Sequence, residues 1–145
     1  MRYLLFFTLS IFQLSSTQAQ IKSLDDFQWK NRVLIIYSND QKSAPFEGQL
    51  AKISQNKDGY DERDLKVIIL KNQKVEIWNS NEYHLLDFQQ IIKEMNIDDN
   101  QAYQNLLIGK DGGVKLREDS PISNEKLFNT IDAMPMRQRE MRDGN

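Results

Sequence analysis

The sequence predicts an α/β three-layer sandwich, a mixed central sheet with helices on both faces. Three observations carry that expectation. Two continuous β-branched runs, Val33-Leu34-Ile35-Ile36-Tyr37 and Lys66-Val67-Ile68-Ile69-Leu70, stand about 30 residues apart with a helical pattern between them, the separation a parallel crossover needs. Leu106-Leu107-Ile108 and Val114-Lys115-Leu116-Arg117 flank an Asp111-Gly112 turn, a strong local hairpin signal. Apolar residues recur at helical spacing before and after that hairpin.

The first run is apolar throughout and follows the polar Lys30-Asn31-Arg32, so it predicts a strand buried on both faces. Ser38 to Ser43 is rich in turn formers. Pro45 then occupies a helix start, where proline gives up no hydrogen bond. Phe46, Leu50 and Ile53 follow on one helical face, and the pattern fades over Asn56 to Gly59. After the second strand, Val75-Glu76-Ile77-Trp78 alternates as a short strand or extended connection does. Leu85, Phe88, Ile92 and Met95 predict an amphipathic helix from about Asn81 to Met95. Past the hairpin, Ser123 caps a helix whose staple positions are Ile122 and Leu127, and Pro135 is expected to end it. The tail from Arg137 to Asn145 is polar and expected to fray at its end. The core order β-α-β-α-β-β-α is the thioredoxin-like one, because a flavodoxin-like chain would need a further βα repeat in place of the hairpin.

Residues 1–19 are set aside from the fold. Met1-Arg2, the apolar run Tyr3 to Leu14 and the small residues Thr17 and Ala19 have the three-part form of a cleavable signal peptide. The run is too short and too polar to span a bilayer, which takes about 20 apolar residues. Residues 20–145 are then a single domain, expected to be exported to the periplasm or secreted, with no membrane span after cleavage. Without Arg2 the chain carries 18 basic and 21 acidic side chains, a net charge of −3 that makes nucleic acid a poor partner. The cysteine count is zero, which rules out disulfides, thiolate nucleophiles and cysteine metal sites.

Three segments resemble one family. They are Leu24 to Arg32 with Phe27, Trp29 and Arg32, the hairpin from Leu107 to Arg117, and the ending Ile131-Asp132-Ala133-Met134-Pro135-Met136-Arg137. Together they resemble DUF4174, a domain of unknown function, over nearly all of residues 20–145. The resemblance implies a thioredoxin-like or peroxiredoxin-like fold, found in small exported bacterial proteins and in animal sushi-repeat and matrix-associated proteins. It implies no established activity.

The place where that fold keeps its Cys-x-x-Cys, the start of the first helix, is here Asp40 to Pro45. Thiol exchange is therefore impossible, and Ser38 and Ser43 read as turn and cap residues. His84 is the only histidine, and its expected place near a helix start suggests a surface or satisfied residue rather than a general base. Gly109-Lys110-Asp111-Gly112-Gly113 lacks the Ser or Thr and the following helix of a phosphate loop. The stretch Ser54 to Leu65 fails the calcium-loop pattern at its first and twelfth positions. Met134, Met136 and Met141, with His84, could in principle hold Cu(I), although core packing is the commoner use of methionine. No metal or cofactor is expected.

What remains is a non-catalytic binding or interaction module whose partner is an envelope or extracellular protein or polymer. Asp40, Lys110, Arg117 and Arg137 are its candidate binding residues. The alternative is a cysteine-independent enzyme with a polar pocket joining the first strand-helix loop to the Lys110 to Arg117 hairpin, which requires those side chains to lie within reach of one another.

Overall fold

The computed structural model describes residues 20–40 and 43–144. The segment read as an export signal lies outside the described residues. Strands β1 (Arg32–Ser38), β2 (Leu65–Lys71), β3 (Lys74–Ile77), β4 (Tyr103–Ile108) and β5 (Val114–Glu118) form one sheet in the order β3-β2-β1-β4-β5. β1 runs parallel to β2, with Arg32 opposite Leu65, and antiparallel to β4, with Val33 opposite Ile108. The outer pairs β2·β3 and β4·β5 are antiparallel hairpins. The Val75 segment is thus a true edge strand.

Because successive strand residues point to opposite faces, the apolar run of β1 feeds two cores at once. Val33, Ile35 and Tyr37 pack with Phe27, Leu86, Ile91 and Ile92 on one face. Leu34 and Ile36 pack with Phe46, Ile53, Tyr60, Leu127 and Ile131 on the other. Helix α3 (Phe88–Glu94) covers the first face, and α1 (Ala44–Gln55), α2 (Lys57–Asp61) and α4 (Asn124–Asp132) cover the second. The expected mixed sheet with helices on both sides is what the chain forms.

Caps set several of the helix limits. Ser43 Oγ accepts from the Phe46 amide ahead of α1, and Ser123 Oγ accepts from the Lys126 amide ahead of α4. The hairpin closes through Gly109 N–H to the Gly113 carbonyl at 2.9 Å, with Gly112 at φ +81°, a conformation that favours glycine.

Two expectations need correction. The helix expected over residues 81–95 begins only at Phe88, because Asp87 caps it, accepting from the Gln90 amide at 2.7 Å. The preceding stretch is extended: Leu85 N–H donates to the Ile21 carbonyl at 2.8 Å, and His84 makes a bridge with Ile21. His84 is therefore not at a helix start. It belongs to the α3 face of the sheet, whereas Met134 packs on the opposite face, so the two are not gathered round one ion. The second correction concerns Pro135, which starts a helix as well as following one. Helix α5 (Pro135–Asp143) occupies most of the tail that was expected to fray, with proline in its first turn. Among the described residues no helix is long and apolar enough to cross a membrane.

Candidate functional site

The start of β1 carries a buried arginine. Arg32 is fully buried and is held by a two-bonded fork to Glu140 of α5, Nη1 to Oε2 at 3.1 Å and Nη2 to Oε1 at 3.2 Å. Its Nη1 also donates to the Arg63 carbonyl at 2.9 Å. Lys110, at the hairpin, reaches Glu140 Oε1 and Asp64 Oδ2, each at 2.7 Å. One glutamate thus neutralises two cations that the sheet brings together from distant parts of the chain.

A second carboxylate repeats the pattern. Asp132 accepts from Arg63 Nε at 3.0 Å and Nη2 at 2.6 Å, and from Arg137 Nε at 3.2 Å. Arg137 also donates to the Glu62 carbonyl and to Glu62 Oε1, and the Arg63 guanidinium lies 4.3 Å from the Phe128 ring centroid. Burial pushes the Glu140 carboxyl up, but the hydrogen bonds and charges of Lys110 and Arg32 outweigh it and hold the group below its ordinary value. Burial likewise opposes ionisation of Asp132, and Arg63 and Arg137 reverse it.

The four candidates read from the sequence do not share one site. Lys110 and Arg137 meet through Glu140, the first at 2.7 Å and the second at 3.7 Å. Arg117 points to the other face of the sheet, where it donates to the Met95 and Asn96 carbonyls at the end of α3 and to Gln104 Oε1. Asp40 follows the far end of β1, where Ser38 Oγ donates to its carbonyl. Lys110 sits by the near end of β1, since Ile108 pairs with Val33. A strand of that length separates them by roughly 20 Å, so the pocket that would join Asp40 to Lys110 and Arg117 does not form. Arg32, Arg63 and Glu140 were not among the binding residues expected from the sequence, although Arg32 is one of the residues that carry the family resemblance. The available signals were an arginine directly before an apolar strand and the i,i+3 spacing of Arg137 and Glu140.

Beside the cluster lies a cavity of about 240 Å3. Lys110, Asp111 and Lys115 form its charged wall with the fully buried Arg32 beneath, and Met134, Pro135 and Met136 at the start of α5 form its apolar one. At the opposite end of β1, where the fold's redox proteins carry a thiol, Ser43 Oγ caps α1 and lies 3.2 Å from Ser38 Oγ. Among the described residues no group of three His, Asp or Glu side chains is placed to hold a metal ion.

Solved structures similar to the chain include peroxiredoxins. A reduced 2-Cys peroxiredoxin from Plasmodium vivax superposes with a TM-score of 0.56 at 14% identity, over 80% of this chain and 84% of that one. Thioredoxin peroxidase I of Plasmodium yoelii gives 0.55 at 17% identity, over 84% and 81%. At such identities the likeness establishes the thioredoxin-like fold alone. No curated protein sequence matches the chain significantly. The model of the domain of unknown function DUF4174 matches residues 23–140, which contain both the sheet and the charged cluster. The chain belongs to the DUF4174 family, as a cysteine-free member with a thioredoxin-like fold.

Proposed function

We propose that the protein is an exported, non-catalytic binding module that acts in the periplasm or outside the cell, with its binding face at the hairpin and the start of α5. The observation that carries this reading is the engagement of Ser43. At the one position where the scaffold concentrates its chemistry, the hydroxyl caps α1 and pairs with Ser38, an arrangement that serves folding. An alcohol so placed, with no strong base bonded to it among the described residues, is un-ionised at neutral pH and a poor nucleophile. At the other end of the sheet, Arg32, Lys110 and Glu140 make a rigid, charged surround for a cavity.

Affinity capture from envelope extract tests the reading. The purified protein is compared with a Lys115→Glu variant, in which the exposed cation beside the cavity is reversed. A stoichiometric partner held by the first and lost by the second is expected, and background proteins alone would overturn the reading. N-terminal sequencing of the protein from the periplasmic fraction or the medium checks export, with Gln20 as the expected first residue.

A further inference from the structure

We infer that the crevice at the carboxyl ends of β1 and β2 is a binding site for one neutral sugar ring, either a free monosaccharide or the end unit of a glycan chain. The site lies at the opposite end of β1 from the hairpin and is additional to the binding face proposed there.

The topology opens the crevice. After β1 the chain passes to α1 on one face of the sheet, and after β2 it passes through β3 to α3 on the other. Where the continuations of two parallel neighbours part in this way, no backbone crosses the strand ends, and open α/β sheets hold ligands at such a divide. Here the divide is a cavity of about 300 Å3. It is lined by the end of β1 (Tyr37 to Asn39), the turn Asn72-Gln73 after β2 and the first residues of α3, Phe88 and Gln89.

The polar groups round it are mostly of one kind. Asn39, Asn72, Gln73 and Gln89 bring four carboxamides to the cavity, and none of these side chains has a hydrogen-bond partner among the described residues. Gln73 is strained in its place. With Asn72 it forms the two-residue turn into β3, at φ +58° and +53°, where glycine is favoured at the second position because a Cβ is crowded. A glutamine there gives the turn nothing that glycine would not, so the carboxamide on the cavity is what offsets the strain.

Chemistry and size then select the ligand. A carboxamide both donates and accepts, as a hydroxyl does, so four of them suit a ligand whose polar groups are hydroxyls. Among the described residues no lysine or arginine lines the cavity, and its one charged group is the Asp99 carboxylate, which accepts from hydroxyls and repels anions. Tyr37 and the half-buried Phe88, with ring centroids 6.4 Å apart, supply apolar surface for the C–H groups of a sugar ring. The Tyr37 hydroxyl is held by the Asp99 carbonyl at 3.2 Å, which fixes that ring in place. A volume of about 300 Å3 is at the small end for a ligand site and admits one ring rather than a chain.

The test is a two-dimensional NMR titration of the purified protein with the methyl glycosides of glucose, galactose, mannose and N-acetylglucosamine, read at the side-chain amides. Saturable shifts are expected at Asn39, Asn72, Gln73 and Gln89 with at least one of these sugars. Ligands of so few atoms should bind with a Kd of about 1 mM. The uronic acid of the same sugar, which brings a negative charge towards Asp99, should bind more weakly. A trisaccharide that binds as tightly as its glycoside or more so identifies a chain end as the source, and weaker binding identifies the free sugar. Gln73→Gly separates the turn from the site: relief of the backbone should raise the urea midpoint, while loss of the carboxamide should lower affinity about three- to tenfold. Gln89→Ala, at an exposed helix position, should weaken binding by a similar factor of about three to ten. No saturable shift with any of the four sugars, a uronic acid bound as tightly as its parent, undiminished binding by Gln73→Gly, or a lowered midpoint in that variant would overturn the site.

Discussion

Arg32 and Glu140 lie 108 residues apart in sequence and are joined by two hydrogen bonds of 3.1 and 3.2 Å. The contact ties the first residue of the central strand to the last helix, which has almost no apolar face of its own. Glu140→Gln leaves the buried guanidinium without its counter-charge. That change is expected to cost about 3 kcal/mol, the usual consequence of breaking one side of a buried pair. Urea denaturation should show it as a lowered midpoint at unchanged slope. The double replacement Arg32→Met with Glu140→Leu should recover most of the loss, since a buried pair adds little over a well-packed apolar one. A Glu140→Gln protein within 1 kcal/mol of the parent would mean that the pair is not what docks α5.

Stability should fall at both ends of the pH range, for opposite reasons. Glu140 and Asp132 have folded-state values below their ordinary 4.5 and 3.8, so the unfolded chain binds protons more readily than the folded one. Their stabilisation is present above those ordinary values and is lost as pH falls through the folded ones. Burial raises Tyr103 to about 12 and Tyr60 further still, from 10. Here the folded chain holds the proton more tightly. Stability is intact below pH 10 and declines as pH rises through about 12. Denaturant titrations from acid to alkali should trace a plateau between these limbs, and Glu140→Gln should shallow the acid limb only.

Gln49 joins α1 to the segment that leads into α4. Fully buried, it accepts from the Ile122 amide at 2.7 Å and from Asn105 Nδ2 at 3.2 Å, and donates to the Ile122 carbonyl at 3.3 Å. Gln49→Leu keeps the volume but strands a backbone amide and carbonyl. A loss of about 3 kcal/mol is expected, against less than 1 kcal/mol for an exposed helix position such as Glu47. Hydrogen exchange at the Ile122 amide gives a second readout, because its protection should drop selectively.

Arg117 was a candidate binding residue, and its hydrogen bonds give it a local role at the end of α3. It donates to the Met95 carbonyl at 2.7 Å and the Asn96 carbonyl at 3.2 Å, where the helix leaves carbonyls unpaired. Arg117→Ala should lower stability by about 1 kcal/mol and loosen α3, with no effect on capture of a partner from envelope extract. Loss of the captured partner in this variant would return Arg117 to the binding face.

The contrast between Arg117 and Arg137 indicates what a sequence reveals here. The strands, the hairpin and the caps at Ser43 and Ser123 are legible because each depends on residues adjacent in the chain: β-branched runs, an Asp-Gly pair, a serine before a helical pattern. Residues 81–87 defeat periodicity, since Leu85 and Leu86 fit a helical face while Asp87 caps later and the backbone pairs with Ile21 instead. Helix α5 is invisible to hydropathy because its buried face is made of Arg137 and the partly covered Glu140. The charged cluster itself depends on pairings across the sheet, such as Arg32 with Glu140 and Arg63 with Asp132, which no local pattern contains.

Trp29 combines two costs in one residue. Its side chain is 68% exposed and its φ is +65°, in the left-handed region that disfavours any residue with a Cβ. The conformation is fixed by its amide, which donates to the Lys110 carbonyl at 2.7 Å and so ties the N-terminal segment to the hairpin. Trp29→Gly and Trp29→Ala remove the same side-chain contacts, and only the glycine relieves the backbone. The left-handed cost of about 1–2 kcal/mol, less the roughly 0.5–1 kcal/mol by which glycine loses more entropy on folding, leaves the glycine variant more stable than the alanine by about 0.5–1 kcal/mol. Trp78, the remaining tryptophan and half-buried, reports unfolding of both by fluorescence. If the alanine variant proves equal or more stable, the turn at Trp29 is not strained, and the hydrogen bond to Lys110 holds a conformation the chain already prefers.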